Sequence, residues 1–233
     1  MNDNLLAGNP VQIDFFYIHP WKLRDIVNPA LNYYSQLFLF FVRKEDLGLP
    51  EELLESYNIF DLIRARAIIG EAFQNQVLRA LEAFTKENFI FQDEQFMLND
   101  KILTAQHWAE IRKVLAEENY IDLALIDEKE EEEEYNFANA QAREFRKRIA
   151  KTKELVKKYK KDKEVSLGFL VNRYCAKSPN MNLLNVWDLT FYQFKQQLEA
   201  TVMVENYDFS ISALVNGRLD PKKQKIVHWT ENK

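Results

Sequence analysis

The sequence predicts a mainly α protein with a small antiparallel β element, on three observations. The chain of 233 residues contains only five glycines, far below the average usage of about 7%, and helices tolerate that scarcity where Gly-rich phosphate-binding loops do not. Apolar residues recur at helical spacing behind N-cap signals along much of the chain. Strand-like alternation and short apolar bursts are confined to residues 11–18 and 89–103. With 47% apolar and 13% aromatic residues, a core can form without staples.

Element by element, Val11 to Ile18 alternates apolar residues at Val11, Ile13, Phe15 and Tyr17 and reads as one strand, ended by His19-Pro20. A short helix to Val27 is expected next. Asn28-Pro29 supplies a cap and a first-turn proline for a helix through ALNYYSQLFLFFVRKEDL, which is apolar on nearly every side and is expected to be central and buried. Leu49-Pro50-Glu51-Glu52 opens another helical region that runs to Lys86 with a break near Gly70. Phe89-Ile-Phe91, Phe96-Met-Leu98 and Lys101-Ile-Leu103 are spaced as a small meander. Thr104 caps a helix to Asn119 whose Trp108, Ile111 and Val114 or Leu115 share a side.

The charge pattern then changes. From Asp127 to Glu134 there are seven acids and one lysine, a net of −6, and such a block is self-repelling and solvated. From Arg143 to Lys163 there are eleven basic and three acidic residues, a net of +8. Ala138, Ala142, Phe145, Ile149, Thr152, Val156 and Tyr159 recur at 4,3,4,3,4,3 spacing, the seam of a long, coiled-coil-like amphipathic helix over 136–162. Val165 to Ala176 reads as a short helix stopped by Ser178-Pro179, and Thr190-Phe-Tyr-Gln193 reads as a capping box for a helix toward Asn216, with Gly217 as its C-terminal cap. The organisation expected is an α-rich region over 1–126 with the β element, an acidic linker over 127–135, the basic helix over 136–163, and a C-terminal helical region over 164–233.

Little catalytic chemistry is expected. His19, His107 and His228 are scattered singly, each one or two residues from a tryptophan, and no HExxH or paired-cysteine spacing accompanies them, so no metal site is expected. The phosphate-cradling and nucleophile-elbow motifs are missing, so no catalytic residue and no cofactor are expected. Cys175 is the one cysteine and fits a reducing compartment and a packing role. The opening MNDNLLAGNP does not read as a signal peptide, and the longest apolar run, Leu37 to Val42, is far short of the roughly 20 residues a membrane helix needs.

Two readings of the basic helix compete. Clustered positive charge neutralises phosphates, which makes Arg143, Arg146, Lys147, Arg148, Lys151, Lys157, Lys158, Lys160 and Lys161 candidates for nucleic-acid binding. The same helix can pair with acidic protein surface, including the adjacent acidic block, while its seam residues Phe145, Ile149, Val156 and Tyr159 pack against a partner helix or a second copy.

Phe89 to Tyr120 and Trp187 to Trp229 are similar to proteins encoded in the tail-morphogenesis regions of tailed phages of Gram-positive bacteria, with the closest likeness to tail assembly chaperones and baseplate-hub assembly proteins. Trp187-Asp188-Leu189-Thr190 followed by Phe194, then Asp220-Pro221-Lys222-Lys223 and Trp229, carry the likeness. The resemblance implies binding rather than turnover: an assembly factor in the host cytoplasm that masks tape-measure, tube or baseplate proteins, or alternatively a structural subunit of the virion baseplate. On that reading Trp187, Asp188, Leu189 and Phe194 are candidate contact residues, because aromatic anchors dominate interface energetics; their other reading is closure of the C-terminal core.

Overall fold

A computed structural model describes residues 2–127 and 166–218 together with His228 and Thr230. The described chain is mainly helical, with antiparallel sheets of two and three strands. Two compact units are formed, one from Met1–Ile126 with Asn185–Lys233 and the other from Asp127–Leu184.

The first unit opens with α1 (Asp3–Ala7), capped by the Asn2 side chain and closed by Gly8 in the left-handed region (φ 74°). The expected strand over 11–18 is instead a hairpin, β1 (Val11–Ile13) and β2 (Phe16–Ile18), with Ile13 opposite Phe16. The reason is local: Asp14 adopts φ 45°, a left-handed conformation that Asp tolerates and that reverses the chain. Alternation survives within each arm, with Ile13, Phe16 and Ile18 buried.

After α2 (Leu23–Ile26), the Asn28 side chain accepts from the Ala30 N–H as expected of a cap, but it starts only a 3₁₀ turn over Pro29–Leu31. Asn32 then takes a left-handed conformation (φ 50°) and α3 spans Tyr33–Phe40 alone. The long buried helix expected here is therefore shorter and two-faced: Tyr33, Leu37 and Phe40 are buried while Tyr34 and Phe38 lie exposed, stacked on each other at 6.3 Å. Residues 51–86 make α4 (Glu51–Ser56), α5 (Ile59–Ile69) and α6 (Glu71–Thr85). The expected break at Gly70 is present; a further break at Tyr57 arises because Asn58 caps α5 through the Asp61 N–H.

The meander is β3 (Ile90–Gln92), β4 (Gln95–Leu98) and β5 (Lys101–Ile102), in that order. Both turns carry consecutive left-handed residues, Asp93-Glu94 (φ 50° and 60°) and Asn99-Asp100 (φ 48° and 65°), the backbone of type I′ hairpins. Next come α7 (Ala105–Asn119), started by a capping box in which Thr104 and His107 serve each other's backbone N–H, and α8 (Leu123–Asp127).

The core is aromatic. Trp108 of α7 stacks on Phe40 at 4.8 Å and meets Phe60 at 5.6 Å, and Phe84 of α6 lies against Trp21, Tyr33 and Phe40 at 5.6 to 5.8 Å. Arg112 is buried on α7 and its Nε donates to the Phe40 carbonyl at 3.0 Å, satisfying an acceptor at the C-terminal end of α3.

The last helix of this unit, α10 (Phe191–Val215), is 25 residues long and begins with the predicted capping box, Thr190 with Gln193; Gly217 follows it at φ 67°. Gln193 has a second duty, since its Nε2 donates to the Leu6 carbonyl at 3.0 Å. Gln193→Ala removes the cap partner and this tie together, and is expected to lower stability by about 1–2 kcal/mol, read as a lowered midpoint in thermal denaturation.

In the second unit the described residues include α9 (Leu167–Lys177), whose N-terminus is capped by Ser166 and which stops at Ser178 before Pro179, as expected. The predicted acidic linker beyond Asp127 and the predicted long basic helix lie outside the described residues.

Candidate functional site

The segment that the sequence reading singles out, Trp187 to Phe194, is held by the N-terminal part of the chain. A 3₁₀ turn over Val186–Asp188 delivers it, and the Leu189 carbonyl accepts the Leu23 N–H at 2.8 Å. Lys22 and Thr190 form an antiparallel bridge. The Asp188 carboxylate meets Arg24 at 2.6 Å and Lys22 at 3.6 Å, with all three side chains about half exposed, so these pairs orient the segment more than they stabilise it. Tyr192 is buried and its hydroxyl accepts the Asn2 N–H at 3.2 Å. Phe194 is fully buried, while Trp187 and Leu189 are half-buried.

Tyr120, which ends α7 in a left-handed conformation, flanks the same helix start. Its ring meets Tyr192 at 5.7 Å and Phe191 at 6.5 Å, Lys195 lies 5.3 Å above it, and Gln196 donates to its hydroxyl at 2.7 Å. Burial first, and the negative charge of Glu199 second, push this phenol up to about 12, so it is neutral across the physiological range.

Beyond Gln196, α10 changes character. Val202 and Met203 are each 46% exposed, Phe209 is 74% and Val215 79%. The Thr201 and Ser210 hydroxyls donate to carbonyls four residues back, so neither needs an outside acceptor. Tyr207, on the opposite side of the helix from Val202 and Phe209 at about 100° per residue, meets the His228 ring at 4.8 Å. One side of the distal helix thus carries His228 against Tyr207, and the other presents Val202 and Phe209 outward.

A second unusual feature lies inside. Glu118 of α7 is fully buried; one carboxyl oxygen accepts the Trp21 N–H at 3.1 Å and the other has no hydrogen-bond partner. Desolvation pushes this carboxyl up to about 8, against the lowering effect of the Trp21 N–H. Around it, Tyr33 donates to Asn119 at 2.5 Å and packs on Trp21 at 5.0 Å, and Lys86 lies 4.9 Å over the Trp21 ring. Burial, with Glu118 next in size, raises the Tyr33 phenol well above its usual range.

The remaining predicted contact residues, Phe145, Ile149, Val156 and Tyr159, and the predicted basic set from Arg143 to Lys161 lie outside the described residues. Among the histidines, His107 serves the α7 cap, with its other ring nitrogen 3.4 Å from Asp14, and burial, with Lys86 next, lowers His19. No group of His, Cys, Asp or Glu able to hold a metal occurs among the described residues, and no described helix is long and apolar enough to cross a membrane.

Residues 158–233 match the family model of the YomV second domain, and YomV is a phage-encoded family. The chain is similar, over about a third of its length, to a phage protein. The matched stretch contains α9, the 3₁₀ turn at Trp187 and all of α10, so the phage-like region includes both the anchored start of the helix and its exposed far half. No curated protein and no solved structure matches the chain.

The exposed residues of α10 are not singled out by the sequence reading. The signal that could have found them is that the apolar residues Val202-Met203-Val204, Phe209 and Leu214-Val215 are distributed around the axis, so no single buried face can cover them all.

Proposed function

We propose that this chain is a non-enzymatic phage tail or baseplate morphogenesis factor, an assembly chaperone that binds other tail proteins through the distal half of α10. The observation that carries the reading is the exposure of Val202, Met203, Phe209 and Val215 on a helix whose first turns are tied down by Leu6, Asn2 and Tyr120. A rigidly anchored helix that leaves apolar side chains in solvent is a preformed helix-docking element, and the family match over this region supports a phage association. The partners it fits are tape-measure, tube or baseplate components, met in the host cytoplasm. The half-buried Trp187 and Leu189 and the exposed Asp188 extend the contact toward the helix start, while Phe194 supports it from inside.

The test is an affinity pull-down of the tagged chain from infected cells with and without nuclease, alongside Phe209→Asp. Identified tail proteins are expected to be retained after nuclease by the wild type and lost from the variant. Recovery of nucleic acid alone, or of partners that vanish with nuclease, overturns the reading in favour of the basic stretch from Arg143 to Lys163. Stoichiometric presence of the chain in purified virions would replace the chaperone role with that of a baseplate subunit.

A further inference from the structure

Resting on the protein-binding reading, we propose that the distal stretch of α10 recognises one kind of partner, a basic amphipathic helix. Between Gln196 and Gly217 the chain carries Glu199, Glu205 and Asp208 and no lysine or arginine. Leu198, Val202 and Phe209 follow one another at spacings of four and seven residues, and Glu205 falls between Val202 and Phe209 at spacings of three and four, so all four lie on one side of the helix. Val202 and Phe209 are exposed there, and Leu198 is half-buried. Glu199 lies beside this stripe and Asp208 farther round on its other edge, both exposed.

A stripe of apolar residues with an acid among them and acids at its edges selects a partner helix whose facing side pairs apolar residues with basic ones, because charges along a helix pair set partner choice and orientation. The same charge disfavours a second copy of this helix: a self-pair brings three acids against three acids, and like charges at close range cost affinity. It equally disfavours anionic surfaces such as nucleic acid, whose phosphates are repelled. The apolar residues supply contact and the carboxylates supply selection.

The probe is a synthetic fluorescent peptide with leucines at heptad seam positions flanked by lysines, titrated with the full chain and read by anisotropy; a second peptide carries glutamate at the flanks. The lysine peptide is expected to bind, at least about tenfold more tightly than the glutamate peptide, and more weakly as salt is raised. Val202→Asp and Phe209→Asp each weaken it by about tenfold or more, and both positions are exposed enough that circular dichroism and thermal midpoint stay at wild-type values. Glu199→Lys with Asp208→Lys reverses the preference between the two peptides. Equal binding of both peptides, lysine-peptide binding that survives Phe209→Asp, or no binding to either overturns the inference. So does concentration-dependent self-association that Phe209→Asp abolishes, because a second copy then covers the stripe. If the wild type still retains tail proteins while the lysine peptide fails to bind, the partner chemistry is wrong and the assembly reading stands; if both fail, both fall.

Discussion

Glu118→Gln makes the chain more stable above pH 8 and leaves it nearly unchanged below pH 4.5. In the folded chain this carboxyl is pushed from 4.5 up to about 8, so the folded state keeps a proton that the unfolded state releases. The stabilising contribution of that retained proton is fully present below the unfolded value and is lost as pH rises through the folded one. At pH 9 the wild type buries an ionised carboxylate whose contact is a single N–H donated by Trp21, whereas glutamine accepts the same N–H without charge. Each pKa unit corresponds to about 1.4 kcal/mol, which puts the gain on the order of 3–5 kcal/mol at pH 9. The shifts of His19 and Lys86 do not depend on Glu118, so they cancel in the difference between the two proteins. Denaturant melts at pH 4.5 and pH 9 measure it, and an equal difference at both would mean that Glu118 is not a buried, proton-linked group.

Phe194→Ala has a comparable effect at every pH. The side chain is fully buried at the start of α10, and truncating a buried phenylalanine costs about 3–5 kcal/mol. Phe209→Ala, on the same helix but 74% exposed, is expected to change stability by no more than about 0.5 kcal/mol. Urea unfolding of the pair measures both. Similar costs at the two positions would contradict the division of α10 into an anchored start and a presented far half.

Much of this architecture is legible in the residues because its signals are local. Thr190 with Gln193 marks the start of α10, Thr104 that of α7, and Asn99-Asp100 a hairpin turn, each through side chain to backbone chemistry within a few positions. The misreadings occur where a single backbone conformation decides. Nothing in the alternation of Val11 to Ile18 reveals that Asp14 turns left-handed and folds one strand into two, and Asn32 divides the Asn28 to Leu47 segment in the same way. The site is legible only in part. Trp187 to Phe194 stands out for its aromatics, yet its setting depends on Leu6, Leu23 and Arg24, far away in sequence, and Glu118 reads as an ordinary acidic helix position until Trp21 is folded against it.

The long-range ties of α10 also carry a consequence for synthesis on the ribosome. Tyr192 and Gln193 bond to Asn2 and Leu6 across separations of 190 and 187 residues, so the cover for α1 is made long after α1 itself. At roughly 5–20 residues per second of translation, α1 emerges roughly ten seconds or more, and the α7 end beside Tyr120 roughly four seconds or more, before α10 reaches them. During that interval Leu5 and the Tyr120 region have water, or another protein, where their own helix will later lie. Until α10 is made, these surfaces are open to whatever folding machinery meets the nascent chain.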